Sequence, residues 1–113
     1  MKHLSITIYD SNEGLTNMEE MNKLMKFISK QTDIRISQPY VTRYENIAAG
    51  LISYRVATDS ISFNAFYNSN KTYIDLFSVK EFNNNKIIEY LSKLFNSENI
   101  HCGEIHTKKK LIK

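Results

Sequence analysis

Apolar and polar residues alternate with a period of two through much of the stretch 47–79. Ile61, Phe63 and Ala65 are interleaved with Ser62, Asn64 and Phe66, and the alternation resumes at Tyr73-Ile74-Asp75-Leu76-Phe77. A period of two over this length predicts half-buried antiparallel strands. The stretch is therefore read as three consecutive strands. The last two are joined by a hairpin at Asn68-Ser69-Asn70-Lys71, whose Asn and Ser side chains hydrogen-bond their own backbone. Residues 3–9 set Leu4, Ile6 and Ile8 against Ser5, Thr7 and Tyr9, a first strand with one buried face.

A helix follows, capped by Thr16 or Asn17, with Glu19 and Glu20 favouring its positive N-terminal end. Met18, Met21, Leu24, Met25 and Ile28 form its apolar stripe, read as core packing. Residues 33–41 predict a second strand, with Pro39 near its end or at a bulge. Residues 42–46 are read as a polar connection. A second helix carries Ile87, Ile88, Leu91, Leu94 and Phe95, is capped within Asn83-Asn84-Asn85 and ends near Asn96. Residues 99–106 supply a last strand. The order β-α-β-β-β-β-α-β implies an α+β two-layer sandwich, an antiparallel sheet with both helices on one face. It forms a single domain over 1–107 followed by a basic tail, 108–113.

With 113 residues the chain makes one domain. A domain of this size buries roughly two-thirds of its unfolded surface, which leaves little for a deep private cleft. An oligomer that builds its site between subunits is expected. The net charge of +3 is too mild to point to nucleic acid, and the tail lysines are read as a solvated terminus. The single Cys102 excludes an intrachain disulfide and fits a reducing cytoplasm. No apolar run approaches the roughly 18 residues of a membrane span, and no signal-peptide pattern opens the chain.

His3, His101, His106 and Cys102 form no metal-ligand spacing, so no metal is expected. Three isolated glycines exclude a phosphate loop, and no serine sits in a nucleophile elbow. The aromatic residues are more telling. Tyr40, Tyr44, Tyr54, Phe63, Phe66, Tyr67 and Tyr73 crowd the strand region. Most are read as packing, with one or two available to stack on a purine or to face a sulfonium cation. Glu45 is read as a solvated loop carboxylate or a partner for a substrate ammonium.

Several strings, in order, resemble the bacterial S-adenosylmethionine decarboxylase family over nearly the whole chain. Met1-Lys2-His3-Leu4 is similar to that family's first strand. Thr42-Arg43-Tyr44, then Ala48-Ala49-Gly50, resembles its His-Arg-Phe segment and the Val-Ser-Gly after it. Ser60-Ile61-Ser62-Phe63-Asn64-Ala65-Phe66 resembles its His-Leu-Thr-Ile-His-Thr-Trp strand, and Tyr73-Ile74-Asp75-Leu76-Phe77 its Ala-Ile-Asp-Leu-Phe strand. The resemblance implies the family's α+β sandwich and S-adenosylmethionine bound at a subunit interface. Its chemistry does not carry over. Thr58 and Asp59 replace the self-cleaved Glu-Ser, Ser60 the His after it, Asn64 the processing His, Ala49 the catalytic Ser and Val79 the catalytic Cys. A shift of one residue puts Ser60 at the cleavage position but Ile61 where the His belongs, and Asp59-Ser60 still lacks the helper groups. Pyruvoyl decarboxylation is not expected.

Two uses of such a fold follow. The first is a cofactor-independent lyase that cleaves S-adenosylmethionine, or the S-adenosylmethionine–AMP conjugate of type III CRISPR signalling, to 5′-methylthioadenosine (or its AMP adduct) and homoserine lactone. The second is an inactive homologue that senses S-adenosylmethionine or regulates a decarboxylase. The lyase is the leading expectation, by analogy with small trimeric α+β lyases, and it implies a homo-oligomer with a trimer favoured. Glu45 and Tyr54 are its candidate catalytic residues. Tyr44, matching the family's adenine-stacking Phe, is a candidate for substrate binding, with Ser60 and Asn64.

Overall fold

The computed structural model describes residues 2–12, 18–35, 40–46, 48–58 and 60–105. Its elements are β1 (Lys2–Tyr9), α1 (Met18–Thr32), β2 (Tyr40–Asn46), β3 (Leu51–Ala57), β4 (Ile61–Asn68), β5 (Lys71–Ser78), α2 (Asn84–Phe95) and β6 (Ile100–Glu104). The strands form one six-stranded sheet in the order β2-β3-β4-β5-β1-β6. Every ladder is antiparallel. The expected element order and α+β sandwich are thus present.

The period-two pattern sorts the sheet into two faces. Leu4, Ile6 and Ile8 of β1, Ile52, Tyr54 and Val56 of β3, Ile61, Phe63 and Ala65 of β4, and Ile74 and Leu76 of β5 are buried together. Leu24, Met25 and Ile28 of α1 and Ile87, Leu91 and Phe95 of α2 belong to the same cluster, so both helices cover this one face. Phe27 and Tyr90 stack across the two helices with centroids 4.3 Å apart. Lys2 also points to the helix side. Its buried ammonium donates to the Phe82 carbonyl at 2.8 Å and pairs with Glu104 at 3.2 Å and Glu81 at 3.5 Å, which offsets the cost of burying the charge. Among the described residues no helix is long and apolar enough to cross a membrane.

Turn and cap chemistry acts where expected. Asn68 pairs with Lys71, and Ser69 and Asn70 between them take φ of 51° and 62°, a two-residue type I′ hairpin that matches the strand twist. The Asn83 side chain accepts from Lys86 N at 3.2 Å and starts α2. Asn96, at φ 51° and ψ 48°, ends it in a Schellman turn, Ser97 N donating to Ser92 O and Asn96 N to Lys93 O.

One expectation is corrected. The second strand begins at Tyr40, whereas Asp33 is a turn residue at φ 55° and residues 34 and 35 are irregular. Residues 42–46, expected as a polar connection, form most of β2 and pair with β3 from Thr42↔Arg55 to Asn46↔Leu51. β2 is an edge strand whose Thr42, Arg43, Tyr44 and Glu45 are exposed, so apolar alternation never marks it. β6 is also shorter than expected. The caps at Thr16 or Asn17, Pro39, Asp59, His106 and the basic tail lie outside the described residues.

Candidate functional site

The register fixes which side chains stand on the sheet face that no helix covers. Tyr44, Ser53, Phe66, Tyr73, Thr7 and His101 lie in one row across β2-β3-β4-β5-β1-β6. Thr42, Arg55, Asn64, Asp75, Ser5 and Gly103 form the next. Phe77 and His3 pair in the row beyond. Tyr44 is 54%, Phe66 42%, Tyr73 44% and Phe77 36% exposed. Four large aromatics at this exposure share one face, Phe66 and Tyr73 side by side and Tyr44 and Phe77 each one position removed. A cluster of this kind marks a candidate interaction surface where isolated apolar residues would not.

Contacts on the open face are polar and aromatic together. Phe66 and Tyr73 have centroids 6.3 Å apart. The His3 ring stacks on Phe77 at 3.9 Å, and its Nε2 lies 3.0 Å from Asp75 Oδ1. Asn64 Nδ2 donates to Ser62 Oγ at 3.4 Å. Tyr9 meets His101 edge-on at 5.2 Å, and Lys71 Nζ sits 5.5 Å from the Tyr9 ring centroid.

Glu45 and Tyr54 lie on the other side of the sheet, brought together by Arg43. Arg43 Nε donates to the Tyr54 hydroxyl at 2.8 Å, and its Nη1 lies 3.0 Å from Glu45 Oε1. The Tyr54 hydrogen bond first, then Glu45, raise the pKa of the guanidinium above its ordinary value. Tyr54 is only 1% exposed. The sheet therefore separates the Glu45–Tyr54 pair from Tyr44 and Asn64, which share the open face. Ser60 stands apart from both, in the β3–β4 turn.

That turn is where the fold family forms a pyruvoyl group from its own chain, and the residues present do not fit that chemistry. Thr58 Oγ1 accepts from Ser60 N at 3.2 Å and from Ile61 N at 2.9 Å, which closes the turn on itself, and Ser60 O accepts from Val79 N at 3.0 Å, which ties it to the end of β5. The position matching the processing imidazole is the amide Asn64, hydrogen-bonded to Ser62, and the one matching the thiol is the exposed aliphatic Val79. Among the described residues no group of three or more His, Cys, Asp or Glu is placed to hold a metal ion.

Sequence reasoning missed His3, Asp75 and Phe77 as members of this face. The signal was present: in Tyr73-Ile74-Asp75-Leu76-Phe77 the solvent phase of the alternation holds Tyr, Asp and Phe where small polar residues usually stand.

A family model described as S-adenosylmethionine decarboxylase matches residues 2–108. No curated protein sequence matches the chain. Among solved structures, the adenosylmethionine decarboxylase of Aquifex aeolicus VF5 superposes with a TM-score of 0.64 at 9% identity, over 99% of this chain and 96% of that one. At that identity the likeness is one of fold, and the family match agrees with it. The chain belongs to the S-adenosylmethionine decarboxylase family.

Proposed function

We propose that this chain binds S-adenosylmethionine, or its AMP conjugate, on the open sheet face and cleaves it without a covalent cofactor. The observation that carries this reading is the pairing of a family fold with a β3–β4 turn, Asn64 and Val79 that supply no self-processing chemistry. A sulfonium substrate needs none. Its own carboxylate oxygen bonds to Cγ, the Cγ–S bond breaks with its electron pair going to sulfur, and the cation becomes a neutral thioether. Homoserine lactone and 5′-methylthioadenosine (or its AMP adduct) leave, and no proton need move. The protein's task is to fold the substrate into this near-attack geometry and to shed water from the reacting end.

In this reading Tyr44 stacks on adenine and Asn64 lines the reacting end, while Ser60, in the β3–β4 turn apart from that face, reaches the substrate only at its margin. Glu45 and Tyr54 serve as positioning residues: they hold Arg43, and through it the edge strand that presents Tyr44. A ligand on one flat face would stay hydrated, so a second copy is needed to close it. The chain then works as a homo-oligomer, with a trimer as the first expectation, and sedimentation that finds only monomer would remove this part of the reading.

The experiment is incubation of the purified chain with S-adenosylmethionine and, in parallel, its AMP conjugate, followed by mass-resolved chromatography. Methylthioadenosine (or its AMP adduct) with homoserine lactone is the expected result, and the faster substrate identifies the physiological one. Decarboxylated product from a self-cleaved chain would overturn the proposal. Bound but unchanged ligand would replace it with the role of sensor or regulator.

A further inference from the structure

We infer that Asp75 is the carboxylate that receives the cationic amino-acid end of the ligand, an assignment that rests on the sulfonium-nucleoside reading above. Among the described strand residues, Asp75 is the one carboxylate on the open face. Glu45 pairs across from Ile52 and Glu104 from Leu4, which places both on the helix side. The other charged groups among the described strand residues of the open face, Arg55 and Lys71, are cations and repel an ammonium. Among the described strand residues, Asp75 is thus the one ion-pair partner this face offers a ligand with a free ammonium.

The surroundings of Asp75 suit that task. It lies between Asn64 and Ser5 in its row, two hydrogen-bonding side chains that suit a polar head group. Tyr73 stands two residues away on the same strand and face, about 7 Å along it, beside Phe66. Aromatic faces at that distance attract a sulfonium while the carboxylate takes the ammonium. His3 engages Oδ1 and is itself pinned by its stack on Phe77, which fixes the carboxylate's orientation. The Asp75 side chain remains 52% exposed, and a carboxylate bonded through one oxygen keeps accepting capacity for a ligand cation.

The test is calorimetric titration of the intact chain and of Asp75→Asn and Asp75→Glu with two uncleavable probes. S-adenosylhomocysteine carries the ammonium, and 5′-methylthioadenosine has the same nucleoside and thioether without it. Asp75→Asn is expected to weaken S-adenosylhomocysteine by about tenfold or more and to leave methylthioadenosine unchanged, since only the charge-assisted bond is lost. Asp75→Glu should recover part of the loss. Equal affinity of Asp75→Asn and the natural chain for S-adenosylhomocysteine, or equal weakening of both probes, would overturn the assignment while leaving the ligand reading standing. A natural chain that binds neither probe would overturn both.

Discussion

Tyr54 offers a clean separation between a structural and a chemical role. Its ring is 1% exposed within β3, flanked by Ile52 and Val56 in the core and opposite Ala65 on β4. Its hydroxyl accepts from Arg43 Nε at 2.8 Å. Tyr54→Ala deletes a buried aromatic ring and leaves a cavity, a loss of about 3–5 kcal/mol. Against a total of about 5–15 kcal/mol for a domain, that is about a fifth of the stability or more. At a urea m-value near 2 kcal/mol/M, the denaturation midpoint falls by about 2 M. Tyr54→Phe keeps the ring and removes only the hydroxyl. The guanidinium side chain is 35% exposed, so water replaces the lost acceptor and the midpoint moves little. The prediction is a large midpoint shift for Ala, a small one for Phe, and turnover of the proposed substrate by the Phe variant lowered a few-fold but not abolished, because Arg43 keeps Glu45 and loses only one of the two groups that hold it. Urea melts followed by circular dichroism and a product assay on the same preparations measure both. If Tyr54→Phe instead abolishes turnover with its midpoint unchanged, the hydroxyl touches the reacting atoms, and its placement behind the sheet as a positioning group is refuted.

Three further outcomes follow from the described contacts. Tyr44→Ala removes an exposed ring and should leave folding intact while weakening nucleoside binding by about 1–3 kcal/mol if it stacks on the base; unchanged affinity in a titration takes it out of the site. Asn96 caps α2 in the left-handed region at φ 51°, so Asn96→Gly should be near neutral and Asn96→Ala should cost about 1 kcal/mol in a urea melt, an ordering that reverses if the cap is unimportant. Burial first, then Glu104, raise the pKa of the Cys102 thiol, so at pH 8 the folded chain holds less thiolate than the unfolded one. Alkylation by iodoacetamide should be slower folded than unfolded, with the gap closing as pH rises; faster labelling of the folded chain would contradict the shift.

The core was legible because strands packed on helices must alternate and helices packed on strands must carry a stripe. Phe63 between Ile61 and Ala65, or Leu91 between Ile87 and Phe95, can stand nowhere but inside. The caps at Asn83 and Asn96 and the hairpin at Ser69-Asn70 were equally readable, since each depends on a local bond or a left-handed backbone that Asn and Ser tolerate. β2 was not. An edge strand is held by a ladder to one neighbour, and Thr42, Arg43 and Glu45 read as loop because that ladder leaves no mark on side-chain polarity. The candidate surface was half legible for the same reason. That Asp75 is solvent-facing can be read from its own strand, but the face it shares with Tyr44 depends on the pairings Tyr44↔Ser53, Ser53↔Phe66 and Phe66↔Tyr73, which join four strands at once. The separation of Glu45 from Tyr44 is also a matter of parity. Neighbours in sequence on a strand point to opposite faces, so proximity along the chain argued for one site where the sheet makes two.

Three of the positions at which this chain departs from the family's chemistry, Ala49, Asn64 and Val79, are positions its fold can spare. Ala49 is exposed in the turn after β2, held through its backbone by the side chains of Asn46 and Asn68. Asn64 sits on the open face and Val79 just beyond β5, half exposed. None contributes to the cluster that joins sheet to helices, so replacing hydroxyl, imidazole and thiol there removes catalytic groups without opening a cavity. Fold and covalent chemistry are thereby separable in this architecture, and the open face still offers exposed aromatics and, among its described strand residues, one carboxylate. A decarboxylase needs an electron sink, which is why the family makes a pyruvoyl group. A sulfonium that carries its own nucleophile and leaving group asks only for orientation and a counter-charge. The loss of the helper residues is thus compatible with the lyase proposed above, whose electrons need no external acceptor.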